Sequence, residues 1–204
     1  MPELPEVETI ARALKPELVG RTILSADLRW ARTLATPSPA QFRKQIAGQK
    51  ILDVSRRAKY LVIRLETYSF LVHLRMSGDL VIRTGKIKPE KHDRLLLYLS
   101  DQNYLAFNDT RKFGRAWLTD QPEKILGKLG PEPLEKNFTA QWLFENLHKR
   151  KRLLKPLLLD QTFLAGLGNI YTDECLHIAK LHPLAASNNV TQKQAEALHK
   201  AIRA

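Results

Sequence analysis

The sequence predicts an α+β protein in which an N-terminal helix and an antiparallel β-sandwich precede a smaller helical domain. Three observations support this class. The opening segment repeats apolar residues at helical spacing, residues 22–118 form short β-rich runs between turn residues, and the chain beyond about residue 137 has helical periodicity. The Gly- and Pro-containing segment "KLGPEPLEKNF" separates the two parts. We therefore predict two domains, 1–130 and 131–204.

The first predicted helix is "PEVETIARALKPEL". Pro5 suits the first turn of a helix, and glutamates in that turn favour the positive end of the helix dipole. Gly20 is the predicted stop signal. The residues that share the apolar face are Val7, Ile10, Ala11 and Leu14.

The predicted sandwich consists of five runs in which apolar and polar residues alternate over several stretches, broken by Gly, Asn and Asp. They are "TILSADLRW", "KILDVSRRAKYLVIRLE", "SFLVHLRMSGDLVIRTG", "DRLLLYLSDQNYLAFND" and "GRAWLT". Their regular spacing is typical of a sandwich. Three helical segments follow: "TAQWLFENLHKRKRLLKPLLLD", "NIYTDECLHIAKL" and "TQKQAEALHKAIRA". The last has no stop signal, so we expect the parent protein to continue.

The charge of the chain indicates a polyanionic partner. Lys and Arg number 33 against 21 Asp and Glu, a net charge of +12, which favours nucleic acid over a basic protein without such a partner or a ribosomal component. One cysteine excludes an internal disulfide and suits a reducing cytoplasm. No apolar run approaches the roughly 20 residues of a membrane span, and the N-terminus lacks the pattern of a secretory signal.

The N-terminus "MPELPEVETI" combines a possible nucleophile with a carboxylate. Removal of Met1 would leave Pro2 with a free secondary amine, which can attack a sugar carbon and form an iminium, as catalytic lysines do. The pKa of an unperturbed α-amine is about 7.7–8.0, so part of the amine is unprotonated at cellular pH. Glu3 is placed to transfer the required protons. The alternative interpretation is an acidic helix start with no chemical role.

Three further side chains suggest an enzyme that extrudes a base from a duplex. "HLRMSG" and "NDTRKFG" place Met76, Arg111 and Phe113 in tight loops between strands. Base-flipping enzymes fill the gap left in the duplex, and apolar wedges with an arginine are suited to this. The alternative is that Met76 and Phe113 are core residues at strand ends. Lys59, in "SRRAKYL", is by itself better explained as a solvated basic turn than as a catalytic residue.

The helical part contains a candidate phosphate site. "GLGN" lies in a turn before the helix that begins near Asn169, and helix N-termini present free N–H groups to anions. No strand precedes it and no third glycine follows, so it is not a dinucleotide-binding fingerprint. Lys155 and the basic run "HKRKR" favour a phosphate grip within a helix–turn–helix. Cys175, His177 and His182 match no familiar zinc spacing.

Together these segments give the chain a resemblance to a known family. "PELPEVET", "RRAKYL", "HLRMSG", "NDTRKFG" and "DQTFLAGLGNIYTDECL" occur in order, and the chain closely resembles the bacterial formamidopyrimidine-DNA glycosylases from Pro2 to its end. The resemblance implies a β-sandwich followed by a helix–two-turn–helix domain. It also implies base-excision repair of oxidised purines in double-stranded DNA, such as 8-oxoguanine and formamidopyrimidines, with abasic-site lyase activity by β/δ-elimination.

The resemblance also implies a role for each matching residue. Pro2 is similar to the nucleophile at C1′, Glu3 to the proton-transferring acid, Lys59 to the lysine that assists β-elimination, and Glu6 to a supporting carboxylate. The void-filling set is Met76, Arg111 and Phe113, with Arg111 facing the orphaned cytosine. The backbone-phosphate contacts are His92, Lys151, Lys155 and Asn169.

One family feature has no counterpart in these 204 residues. Relatives usually continue into a four-cysteine zinc finger, so we expect no metal site and no cofactor within this chain. We expect a monomer in the bacterial cytoplasm, associated with the nucleoid. The alternative functions are a non-catalytic nucleic-acid binding protein and an inactive fragment, since a basic helix–turn–helix would serve binding alone. A binder has no need for a free Pro2 amine beside Glu3.

Overall fold

The computed structural model describes residues 1–204, which form two compact units, Met1–Gly127 and Lys128–Ala204. The first unit contains three helices and nine strands. Its elements in chain order are α1 Leu4–Leu18, β1 Ile23–Leu28, β2 Leu34–Thr36, α2 Pro39–Ile46, β3 Ile51–Arg57, β4 Tyr60–Leu65, β5 Ser69–His73, β6 Gly78–Thr84, β7 Asp93–Leu99, β8 Asn103–Asp109, β9 Arg115–Thr119 and α3 Glu123–Leu126.

Two sheets form the predicted sandwich. One has the strand order β1-β7-β8-β6 and the other β2-β9-β5-β4-β3, and every pairing is antiparallel except the short parallel pair β2–β9. Alternate residues of the strands enter a shared apolar core, to which α1 adds its predicted face. Val7, Ala11 and Leu14 of that face are buried, and Ile10 packs against the core in part. The predicted fold class is confirmed.

One local feature of the first unit confirms the sequence prediction, and another differs from it. Helix α1 ends at Leu18, and Gly20 follows it in the left-handed region, at a φ of +89°. Helix α2 interrupts the stretch expected to be entirely β-structure. Its signal was present, because Ser38 accepts a hydrogen bond from the Gln41 backbone while Gln41 reaches back, the pattern of a capping box, and Phe42 and Ile46 are buried.

The second unit is helical, with α4 Ala140–His148, α5 Leu154–Leu158, α6 Asn169–Ile178 and α7 Gln192–Arg203. The segment predicted as one long helix is divided into α4 and α5, because residues 149–153 leave the helix. There Ser187 makes hydrogen bonds with the backbone of Arg150 and Arg152. The unit has its own core, which includes Phe138, Leu143 and Leu198. None of the helices of the chain has the length and apolarity that crossing a bilayer would need.

Candidate active site and nucleic-acid interface

The register of α1 against β3 brings the N-terminus to a tight turn. Glu8 bonds Arg56 at 2.9 Å, and Lys15 bonds Asp53 at 2.8 Å. Residue numbers rise along the helix as they fall along the strand, so the two elements run antiparallel. The start of α1 therefore lies beside the end of β3, where the turn to β4 carries Lys59.

Glu3 is the residue immediately before α1, and its side chain is buried. It is 2 % exposed, and its N–H donates to the Glu6 carboxylate at 2.9 Å, as in a capping box. Pro2 is half-buried and Met1 is 43 % exposed. The terminus is therefore accessible, while the carboxylate beside it is withdrawn from water.

Lys59 is buried in the β3–β4 turn, at 5 % exposure. Burial lowers the pKa of its ammonium; the Glu3 carboxylate opposes this shift and Arg75 adds to it. Ala58, which precedes it, has a φ of 51°, and its carbonyl accepts a hydrogen bond from Arg56 at 3.1 Å. The structure thus brings Glu3 and Lys59 into one electrostatic cluster at the N-terminus, and it excludes the interpretation of Lys59 as a solvated turn residue.

His73 belongs to the same cluster, although the sequence analysis did not select it. Its Nδ1 accepts the Arg75 N–H at 3.1 Å, and the Tyr60 ring meets it edge-on with centroids 4.8 Å apart. Burial, with Arg75 and Lys59 nearby, lowers the pKa of His73 to about 3. The imidazole is therefore neutral, and because Nδ1 accepts, Nε2 carries the proton. The sequence signal was a histidine at the end of a strand, next to the Met76 loop.

The two loops that carry the predicted wedge lie at one end of the sandwich. Residues 74–77 connect β5 to β6, and residues 110–114 connect β8 to β9, so each passes from one sheet to the other. Gly78 pairs with Asp109 in one sheet, and His73 pairs with Arg115 in the other. The loops are therefore neighbours, at the same edge as the Lys59 turn.

Asp109 is the anchor of these loops. It is 1 % exposed, and its carboxylate accepts hydrogen bonds from the Ser77 hydroxyl at 2.5 Å, the Arg111 N–H at 3.1 Å and the Gly114 N–H at 2.7 Å. Buried Arg94 donates to the Asp109 carbonyl at 2.7 Å. One carboxylate thus fixes both ends of the Arg111–Phe113 segment and joins it to the Met76 loop.

The wedge side chains themselves project into solvent. Met76 is 48 % and Phe113 49 % exposed, and the Arg111 guanidinium lies 5.0 Å from the centre of the Phe113 ring. Neither apolar residue is part of the core, so the alternative interpretation is wrong for both. Arg75 and Lys112 adopt φ values of 58° and 62°, a left-handed conformation that is uncommon for residues other than glycine.

His92 is half-buried and lies behind the 110–114 loop. Its Nδ1 is 3.1 Å from an Arg94 guanidinium nitrogen, and its carbonyl accepts the Asp109 N–H at 2.9 Å. The structure therefore connects His92 with the same anchor that holds Arg111.

In the second unit the three predicted phosphate residues have different surroundings. Asn169 is exposed at the start of α6, and Lys151 is exposed in the break between α4 and α5. The Lys155 ammonium forms an ion pair with Asp173, one turn into α6, at 2.8 Å. This partner was not predicted from the sequence. Its effect is to place Lys155 next to the α6 N-terminus, where Asn169 also lies.

The turn before α6 is held by Gln161. Its side chain donates to the carbonyls of Leu159 and Leu167 at 2.9 and 2.8 Å, and it accepts the Gly166 N–H at 2.9 Å. Glutamine suits this position because its amide offers donors and an acceptor together. Gln161 lies in the segment "DQTFLAGLGNIYTDECL", but no role for it was predicted from the sequence.

The residues present do not fit the zinc site found in the family. A four-cysteine finger needs three more thiolates than Cys175 supplies, and Cys175 is buried, with its pKa raised by burial to about 12. No group of three or more His, Cys, Asp or Glu residues is arranged to hold a metal ion.

Comparison with known proteins agrees with this geometry. Residues 1–116 match the family model described as the formamidopyrimidine-DNA glycosylase N-terminal domain, and residues 129–204 match its H2TH domain. Fold and site together define a DNA glycosylase of base-excision repair with a helix–two-turn–helix domain. The chain belongs to the formamidopyrimidine-DNA glycosylase family.

Individual relatives support the assignment along the whole chain. The formamidopyrimidine-DNA glycosylase of Protochlamydia amoebophila is 47% identical over 206 residues, which are 100% of this chain and 74% of the relative. That of Pelotomaculum thermopropionicum is 45% identical over 208 residues, 100% and 75% of the two chains. A Lactococcus lactis Fpg structure, in complex with DNA containing an abasic site, superposes with a TM-score of 0.92 at 39% identity. It covers 99% of this chain and 76% of that one.

Proposed function

We propose that this chain removes oxidised purines, such as 8-oxoguanine and formamidopyrimidines, from duplex DNA and then cleaves the abasic site, using the Pro2 amine as nucleophile. The observation that carries the proposal is the placement of buried Glu3 and buried Lys59 together at the accessible N-terminus. Solved Lactococcus lactis relatives hold DNA with an abasic site and DNA with N7-benzyl-Fapy-dG, which supports this class of substrate.

The chemistry begins when the Pro2 nitrogen attacks C1′ of the damaged nucleotide. The bond from C1′ to the base breaks, the base leaves with a proton, and the sugar ring opens to give an iminium between Pro2 and C1′. The iminium acidifies the C2′–H, so loss of that proton expels the 3′ phosphate in β-elimination. A second elimination expels the 5′ phosphate, and water releases Pro2.

Four residues are proposed to serve these steps. Glu3 transfers protons during ring opening, and Glu6 holds the Glu3 backbone in place through the 2.9 Å hydrogen bond. Lys59, whose pKa is lowered by burial, assists β-elimination and contacts the phosphate beside the lesion. His73, whose Nδ1 accepts the Arg75 N–H, donates from Nε2 to the same phosphate.

The DNA contacts follow from exposure and charge. Met76 and Phe113 fill the space of the extruded base, and Arg111 pairs with the base left opposite. His92 in the first unit and Lys151, Lys155 and Asn169 in the second contact backbone phosphates, which contributes salt-dependent affinity without sequence preference. We further infer a monomer that acts on DNA in the cytoplasm.

Borohydride trapping on a duplex with an abasic site tests the proposal. Intact mass first establishes that Met1 is absent, and fluorescence anisotropy measures binding. The expected result is a covalent adduct that is lost in protein with a blocked terminus and weakened in Pro2→Gly, whose N-terminal glycine keeps a primary amine. Its formation from an 8-oxoguanine duplex should fall at least about a hundredfold in Glu3→Gln. A processed protein that binds the duplex and yields no adduct would be a binding protein or an inactive fragment.

A further inference from the structure

We propose that Trp30 is the positioning residue of the Arg111–Phe113 wedge, and that it thereby sets the preference for the base opposite the lesion. The Lys112 ammonium lies 4.1 Å from the centre of the Trp30 ring, a cation–π contact. Lys112 is the residue between Arg111 and Phe113. The inference rests on the proposed function, because it concerns the loop assigned there to void filling.

The loop needs a hold at its centre as well as at its ends. Asp109 binds the N–H groups of Arg111 and Gly114, at the two ends, but not that of Lys112. Lys112 is exposed and has a φ of 62°, a left-handed conformation that is unfavourable for a side chain with a Cβ. A cation–π contact with tryptophan has a free energy of similar size. The contact with Trp30 therefore offsets the conformational cost at the position where the wedge turns.

Trp30 is itself held rigidly enough to serve as a support. The backbone N–H of Trp30 donates to the Arg94 carbonyl at 3.1 Å, and the backbone N–H of the neighbouring Arg29 donates to the same oxygen at 2.9 Å. The Arg94 side chain in turn bonds the carbonyls of Asp109 and Thr110, at the start of the loop. Trp30 and the wedge loop are thus fixed to one buried residue, and the distance between them is determined.

The indole N–H gives a second indication that the ring serves the loop. Trp30 Nε1 is buried and makes no hydrogen bond to another protein group, although buried polar groups are normally satisfied. A phenylalanine would fill the site without that penalty. Tryptophan, however, provides the strongest cation–π face among the aromatic residues, which suits a function in holding Lys112.

The consequence for specificity follows from the chemistry of the orphaned base. Cytosine offers its N3 and O2 acceptors to the donor fork of a guanidinium, whereas the Watson–Crick edge of adenine presents one acceptor beside an amino donor. Discrimination between them requires that Arg111 be held in one orientation. A loop released at Lys112 would let Arg111 adapt to either base.

The test compares Trp30→Ala with Trp30→Phe, and Leu24→Ala, at an exposed position of β1, is the control. Single-turnover excision is measured with 8-oxoguanine opposite cytosine and opposite adenine. We expect Trp30→Ala to lower the cytosine-to-adenine rate ratio at least threefold while borohydride trapping on an abasic site stays within twofold of the parent. Trp30→Phe should retain most of the ratio.

Amide hydrogen exchange of the DNA-free protein provides a readout that needs no activity. Trp30→Ala should speed exchange at Arg111 and Gly114 at least threefold and leave the β7 and β8 core amides unchanged. Failure of wild-type trapping would refute the proposed function, whereas exchange still reports whether Trp30 holds the loop. An unchanged ratio and unchanged exchange would overturn the inference. A second pair of results would also overturn the inference. In that case Lys112→Gln lowers the slope of the logarithm of the DNA-binding constant against the logarithm of salt concentration by about one, while Trp30→Ala leaves the base preference unchanged. Lys112 would then be a phosphate ligand.

Discussion

The Ser77 hydroxyl donates a 2.5 Å hydrogen bond to the Asp109 carboxylate, which joins the loop that carries Met76 to the loop that carries Arg111 and Phe113. Because Asp109 is buried and also accepts two backbone N–H groups, its charge is satisfied only when both loops are in place. The two halves of the proposed wedge are therefore formed as one unit.

Loss of this connection should weaken both stability and void filling. We expect Ser77→Ala to lower the free energy of unfolding by about 1–3 kcal/mol, since a hydrogen bond to a buried charge is removed. Urea unfolding measures the change, and Ser25→Ala, at an exposed position of β1, is the control. Equal stability of the two variants would show that the bond does not hold the loops together.

The backbone at Gly114 lies so close to the Phe107 ring that only glycine fits at this position. An added Cβ would lie 2.3 Å from the Phe107 ring and 3.2 Å from the Asp109 carboxylate. Gly114→Ala should therefore lower the free energy of unfolding by about 1–3 kcal/mol or more, through overpacking of a core ring. Gly20→Ala is the contrast, because Gly20 has a φ of +89° but open space around it. Its cost should be only about 1 kcal/mol, from backbone strain; thermal unfolding that ranks the two equally would contradict the steric explanation.

The Lys59 pKa should respond in opposite directions to its two charged neighbours. Burial lowers the pKa of Lys59, the Glu3 carboxylate opposes this shift, and Arg75 lowers the pKa further. Glu3→Gln should therefore lower the pKa of Lys59 further, and Arg75→Gln should raise it. Carbon-detected NMR titration of the lysine Cε resonances measures both shifts, with an exposed lysine such as Lys193 as internal reference. A Lys59 resonance that titrates with Lys193 in all three proteins would place Lys59 in solvent.

His73 should make the protein sensitive to mild acid. Its pKa is about 3 in the folded state and about 6.5 when unfolded. Between these values the unfolded state binds a proton that the folded state does not, so stability falls as pH decreases from about 6.5 towards 3, by up to about 1.4 kcal/mol per pH unit. His73→Gln should flatten that slope, because glutamine still offers an acceptor to the Arg75 N–H and cannot be protonated.

Urea unfolding at a series of pH values measures this dependence. His148→Gln, at an exposed position in the second unit, is the matched control and should leave the slope as it is. A slope that persists unchanged in His73→Gln would assign the acid sensitivity to other groups.

The sequence identified most of the site because its chemistry depends on residue types in a fixed order. The sequence shows Pro2 beside Glu3, a lysine (Lys59) shortly after two arginines, and two wedge loops that each end in glycine. It missed His73, Asp109 and Gln161, whose importance comes from what they contact. A histidine at a strand end and an aspartate before a turn are common in any sequence, so only the partners distinguish them.

The secondary structure shows the same division. Periodicity predicted α1, the sandwich strands and the helical second unit, because these depend on which residues are buried along one segment. It did not predict α2 or the break between α4 and α5. Helix α2 is short, and the break is fixed by Ser187, which lies more than thirty residues away and bonds the chain at Arg150 and Arg152.

By itself the sequence determined the fold class, the family and the basic character of the protein, together with the candidate nucleophile. Each of these depends on local patterns of side chains. Only the tertiary structure decided that Met76 and Phe113 are exposed, that Lys59 is buried beside Glu3, and that the Lys112 ammonium lies over the Trp30 ring. These facts depend on contacts between residues far apart in the chain. Burial and electrostatic environment arise when distant segments meet, and no local pattern contains them.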